Sequence, residues 1–176
     1  MFLFQITFKN YFILILNIII INWVFINKKY YINKMDIFNR IRWQIPFNKL
    51  NHIIYIDSEG NEWPLNDPMV HTILSYPLYI GSFILYFPNP LTGKNDKFVF
   101  NENLSTLDIL AIINDYYNRE LTPEERKLAI ETGYKELIPD ITNSLVIIRF
   151  SDLLGSNDLF EGFSRYEDGW RIRFGY

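Results

Sequence analysis

The sequence predicts an α+β domain: an antiparallel or mixed β-sheet with two or three helices packed on one face, ending in a β-hairpin. Three observations carry that expectation. Two helix starts in succession, at Ser105/Thr106 and at Thr122-Pro123-Glu124-Glu125, open segments with apolar residues at 3- and 4-residue steps. Short β-branched and aromatic runs flank those segments on both sides. At the C-terminus Asp168-Gly169 separates two alternating runs, 163–167 and 170–174, a strong short-range hairpin signal in which Gly supplies a positive φ.

Taken in order, Ile41, Trp43, Ile45 and Phe47 fall on every second position, the period of a half-buried strand, and Pro46 argues for an edge. Residues 52–56 read as a second strand, closed by the turn composition Asp57-Ser58-Glu59-Gly60-Asn61. Asp67 before Pro68 is an N-cap with Pro at the first helical position, so a short helix is expected over 69–74, stopping before Pro77. Residues 79–87 read as one buried strand, joined through the polar loop 88–96 to a further strand at 97–100. The first long helix carries Leu107, Leu110, Ile113, Tyr117 and Leu121 on its apolar face. The second runs from the Thr122 cap to Gly133 or Leu137. The apolar stretch Leu145-Val146-Ile147-Ile148 predicts an interior strand over 144–150, followed by a turn around Gly155. In the last strand Trp170, Ile172 and Phe174 alternate with Arg171 and Arg173, one face core and the other solvated.

Composition divides the chain in two. Residues 1–34 lack Gly, Pro, Ala, Ser, Asp, Glu, Arg and His, and 29 of the 34 are Phe, Leu, Ile, Asn, Lys or Tyr, amino acids that codons of A and T alone encode. All eight Gly and all eight Pro follow Met35, a candidate start. The leader reads as a non-native AT-coded extension or as a membrane anchor. Its apolar run, residues 11–26, would span about 24 Å as a helix at 1.5 Å per residue, against a hydrocarbon core of about 30 Å. Basic residues flank that run chiefly on its C-terminal side, which would leave the rest of the chain in the cytoplasm. The four Lys of the leader leave residues 35–176 with 13 basic and 20 acidic groups, a net charge of −7. These residues read as a single acidic α+β domain, a poor match to broad phosphate neutralisation, so nucleic acid is a disfavoured partner.

Chemistry is bounded as firmly. The chain has no Cys, which excludes disulfides, thiolate metal sites and thiol nucleophiles, and only His52 and His71, which excludes a three-His site. Asp57, Glu59, Glu62 and Asp67 are acidic neighbours without an EF-hand pattern, and no Ser stands in a Gly-x-Ser-x-Gly frame. No catalytic, cofactor-binding or metal-binding residues are therefore assigned, and no small-molecule cofactor is expected. The candidate interaction surface is Arg165, Tyr166, Arg171 and Arg173 on the C-terminal hairpin, where Arg and aromatic side chains interleave as they do in nucleic-acid binders.

The ordered motifs Trp63-Pro64-Leu65-Asn66-Asp67-Pro68, Thr106-Leu107-Asp108-Ile109-Leu110, Leu121-Thr122-Pro123-Glu124-Glu125, Arg149 with Asp152-Leu153-Leu154-Gly155, Phe160-Glu161-Gly162-Phe163 and Gly169-Trp170-Arg171-Ile172 form a series. That series, over about residues 60–176, resembles uncharacterised domain proteins of large DNA viruses and fungi. The resemblance implies no catalytic residue. The AT-coded composition and the scarcity of Ala, only Ala111 and Ala129, fit a viral genome. The expectation is a viral, non-enzymatic domain that binds a protein partner inside the cell, in host cytoplasm or virion. Two alternatives stand beside it: a membrane-anchored protein held by residues 11–26, if residues 1–34 are present, and a nucleic-acid binder acting through the hairpin arginines.

Overall fold

Local hydrogen-bond chemistry places the helices. The computed structural model describes residues 34–45, 50–79 and 82–175. The leader's apolar run, Phe47 and residues 80–81 lie outside them. Helix α1, Pro68–Ser75, starts where the Asp67 carboxylate accepts from the Met69 and Val70 amides. Helix α2, Thr106–Asn118, and helix α3, Pro123–Glu131, both open with reciprocal capping boxes, Ser105 with Asp108 and Thr122 with Glu125. Each box satisfies two otherwise orphaned amides. At the end of α3 the Tyr134 amide donates to Ala129 O and the Gly133 amide to Ile130 O, a Schellman stop.

The strands are β1 (Ile41–Gln44), β2 (Ile54–Ile56), β3 (Glu62–Pro64), β4 (Pro77–Tyr79), β5 (Phe83–Pro88), β6 (Asn95–Phe100), β7 (Leu104–Ser105), β8 (Leu159–Tyr166) and β9 (Gly169–Gly175). Seven form one mixed sheet in the order β3-β2-β1-β8-β9-β5-β6, and β4 pairs with β7 separately. Neighbours in the large sheet are antiparallel except β5 and β9, which run parallel. This is the predicted α+β class with its terminal hairpin. Pro64 sits on the edge strand β3, where a missing amide does not interrupt a ladder.

Helix α2 rests on one face of the sheet through aromatic rings. Tyr117 is fully buried, with ring centroids of Phe174 at 5.1 Å, Phe87 at 6.2 Å and Phe150 at 6.3 Å, and its hydroxyl donates to Pro88 O at 2.8 Å. Towards the other end of the sheet, Phe38 of the 3₁₀ segment Lys34–Arg40 meets Phe163 at 4.7 Å and Phe160 at 6.4 Å. The compact unit so formed begins at Met35.

Three expectations change. Residues 79–87 are not one strand: β4 ends at Tyr79, β5 begins at Phe83, and the two belong to different sheets. Composition could not reveal that switch because both pieces are equally apolar. The loop at 88–96 is shorter and is tied down: Asn89 Oδ1 accepts from the Leu91 and Thr92 amides, and Tyr134 Oη donates to Pro90 O at 2.7 Å.

The second change is at 144–150, which form no strand. Their one ladder contact is an isolated bridge between Glu120 and Arg149. Ile148 is buried, whereas Leu145 is 91% exposed and Ile147 59% exposed. The Arg126 guanidinium donates to Asn143 O at 3.0 Å and to Val146 O, taking carbonyls that a neighbouring strand would use.

The third change is the hairpin turn. Tyr166 pairs with Gly169, so the two-residue loop is Glu167-Asp168, and Glu167 takes the positive φ, 47°. Gly169 is required for a different reason. A Cβ there would stand 2.5 Å from Ile84 O, so only glycine lets β5 run alongside β9. Gly162 has its own constraint. It takes φ +91° at a bulge in β8, between the Phe160–Phe174 and Phe163–Ile172 pairs, and a Cβ there would meet Asn39 Oδ1 at 2.7 Å.

Candidate functional site

Strand alternation sorts side chains to two faces. One carries Trp43, Phe160, Phe163, Ile172, Leu85 and Phe87, all buried. The opposite face carries Arg42 and Gln44 of β1, Ser164 and Tyr166 of β8, Arg171 and Arg173 of β9, Ile84 and Tyr86 of β5, and Lys97 and Val99 of β6. Most of these are exposed, Val99 by 53%, and only the Tyr86 ring is buried. Among the described residues the sheet therefore has a covered face and an open one.

Of the four residues singled out by sequence, the structure brings three together. Tyr166, Arg171 and Arg173 share the open face. Arg165 pairs across the ladder with Trp170 and points to the other face, its guanidinium carbon 4.5 Å from the Trp170 ring centroid. An odd number of residues separates partners on the same face of a strand, and Arg165 and Tyr166 are adjacent, so they had to diverge. Tyr86 and Lys97 join the surface from β5 and β6, which sequence reasoning missed because the parallel β5–β9 register is a long-range pairing with no local signal.

Around Arg171 the rings form a shallow platform. Its guanidinium carbon lies 5.7 Å from the Tyr166 centroid, and Tyr166 meets Tyr86 edge-on at 4.9 Å. The Arg173 guanidinium donates to Glu161 O at 2.8 Å. Among the described residues neither Arg171 nor Arg173 forms a salt bridge, whereas Arg42 pairs with Glu62 at 2.6 Å and Lys97 with Asp168 at 2.9 Å.

The hairpin tip is a polar knot. The Tyr86 hydroxyl faces two carboxylates, Asp168 and Glu167 Oε2, the latter at 2.9 Å. The hydrogen bond to Asp168, then desolvation, then the bond to Glu167 push its titration up to about 12. Asp168 is held below the usual carboxylate range by Tyr86 first and Lys97 second. A raised phenol titration means that its contribution to folding is whole below pH 10 and lost as pH climbs through 12. Subtracting the 295 nm absorbance titration of Tyr86→Phe from that of the native chain should leave a single phenol ionising near 12. A difference curve centred near 10 would contradict the knot.

The other ionisable candidates are structural. Asp57 closes its turn, accepting from the Glu59 and Asn61 amides, Asn61 Nδ2 and Trp63 Nε1 at 2.9–3.0 Å. The bonds from Trp63 and Asn61 hold its carboxyl far below the ordinary range. Asp67 is spent on its cap, and His71 Nδ1 faces Ser75 Oγ at 3.3 Å. His52 is exposed at the end of a 3₁₀ turn. Among the described residues no three His, Asp or Glu side chains gather as a metal site.

A second feature lies beyond α3. A cleft of about 370 Å³ is lined by Tyr134, Leu137, Leu153, Leu154, Ser156 and Asn157 among others. Leu137, 71% exposed, borders it, and Leu145 and Ile147 add further solvent-facing apolar surface on the same stretch of chain. All four of Leu145-Val146-Ile147-Ile148 are apolar and the segment forms no strand, so no periodicity in the sequence marks Leu145 and Ile147 as the outward pair.

These features define a class, an α+β domain whose seven-stranded sheet is, among the described residues, covered on one face and open on the other. The chain matches no protein-family model, no curated protein and no solved structure. Among the described residues no helix is long and apolar enough to cross a membrane.

Proposed function

We propose that the chain is a non-enzymatic protein-interaction domain, viral in origin and intracellular, akin to the domain proteins of large DNA viruses and fungi that its motif series resembles. The observation that carries this reading is apolar side chains left in solvent after the core has closed: Leu145, Leu137 and Ile147 are 91%, 71% and 59% exposed. Apolar surface left exposed beside a cleft, as Leu137 is beyond α3, is the kind of surface that a partner covers. The AT-coded leader and the scarcity of Ala support the viral origin.

The test is affinity capture from cells producing the full chain, native against Leu137→Asp/Leu145→Asp/Ile147→Asp. All three changes are at exposed positions, so thermal unfolding should shift little. The expected result is loss of a reproducible set of captured proteins in the triple variant. Identical capture by both chains would contradict the reading.

A further inference from the structure

The open face of the sheet is more selective than an exposed apolar patch, because it presents two neighbouring arginines without a salt bridge among the described residues in a domain of net negative charge. Residues 35–176 carry a net charge of −7. On the open face Glu62 pairs with Arg42, and Asp168 with Lys97 and Tyr86, while the Glu161 side chain lies against Gly175 without a salt bridge to Arg173. Arg171 and Arg173 are left as exposed cations that pair with no carboxylate among the described residues. They stand two residues apart on one strand, which puts them about 6.8 Å apart along it at about 3.4 Å per residue. Beside them are apolar and aromatic surfaces, Tyr166 under Arg171, the half-buried Ile84 on the adjacent strand β5 and the exposed Val99 on β6 beyond it.

We infer that this face binds an extended acidic segment of a partner protein, with carboxylates at positions i and i+2 over Arg171 and Arg173 and an apolar side chain at the next position on the same side, over Gly169 between Tyr166 and Ile84. An extended peptide repeats same-side groups at the pitch of the strand beneath it, so two carboxylates at i and i+2 meet both guanidinium groups at once. Each such pair can be bidentate. A nucleic acid presents anions at a comparable pitch but brings a long run of them towards a domain of net negative charge, with two free arginines to neutralise it; strong nucleic-acid binding needs many such contacts. The inference rests on the protein-interaction reading and assigns that reading a surface and a partner chemistry.

Binding is read by fluorescence anisotropy with the full chain and three labelled probes: a peptide with Leu, Glu and Glu at successive alternate positions and Ser between them, the same peptide with Gln for Glu, and a single-stranded oligonucleotide of matched length. The Glu peptide should bind, weaken as salt is raised, and lose at least tenfold in affinity with Arg171→Gln/Arg173→Gln. Lys127→Gln/Lys135→Gln, which removes as much charge elsewhere, should leave it within about twofold. Circular dichroism melts check that each variant is folded, and Arg171→Lys/Arg173→Lys, which keeps the charge, should recover part of the loss. Equal binding of the Gln peptide, no effect of the Arg171/Arg173 changes, an equal effect of the lysine changes, or tighter binding of the oligonucleotide overturns the proposal. If these probes fail while the Leu137/Leu145/Ile147 variant still loses its partners, only the surface assignment falls.

Discussion

Tyr117→Ala should lower the unfolding free energy by about 3–5 kcal/mol, the usual range for emptying a large aromatic site in a core. A domain of this size is stable by only about 5–15 kcal/mol, so the variant should sit near the edge of folding. The size of the effect follows from where the ring is. Tyr117 is wholly buried and joins helix α2 to β5 through Phe87, to β9 through Phe174 and to the Phe150 turn. Its hydroxyl also satisfies Pro88 O. Tyr117→Phe keeps the ring and removes that bond alone, for a loss of about 1 kcal/mol. Urea denaturation of both variants should show a reduced midpoint at nearly unchanged slope. Equal losses for the two would place the stabilisation in the hydroxyl rather than in the ring packing.

Gly169→Val should cost about 3 kcal/mol or more, at the upper end of what overpacking costs, and Gly169→Ala about 1–3 kcal/mol. A Cβ would meet Ile84 O at 2.5 Å and Ile84 Cβ at 2.8 Å, both fixed in the β5 strand. The only relief is separation of β5 from β9, the one parallel pairing in the sheet. Because Gly169 has no positive φ, an ordinary strand glycine here would instead gain about 0.4–1 kcal/mol on becoming Ala, through the unfolded chain. The sign of the change therefore separates the two accounts. Thermal unfolding reads it, and hydrogen exchange should show the added openings in the Leu85–Trp170 region first.

Both residues also show which parts of the fold local sequence encodes. The helix starts at Asp67, Ser105 and Thr122 were legible because a cap is a contact between residues two or three apart. The final strand was legible because its alternation of aromatic or aliphatic with Arg survives directly as inward and outward positions. Long-range pairing left no such trace. Nothing near Phe83 reveals that its strand will lie parallel to β9, so Tyr86 and Lys97 could not be placed beside Arg171. For the same reason Gly169 read as a turn glycine when its function is clearance. At 144–150 the apolar composition suggested an interior strand, but Arg126 claims the carbonyls and half the apolar side chains face water. The candidate surface was legible as residue types on one hairpin, and its geometry, including the departure of Arg165 to the other face, came from the register.

Hydroxyl-radical footprinting of the full chain, read residue by residue by mass spectrometry, tests most directly that the sheet is covered on one face and open on the other. Tyr166, Val99, Leu145 and Ile147 should be modified rapidly, while Trp43, Tyr117, Phe160 and Ile148 stay protected. Protection of Tyr166 and Val99 equal to that of Phe160 would mean that both faces are covered, and protection of Leu145 and Ile147 equal to that of Ile148 would restore the interior strand; either result contradicts the account.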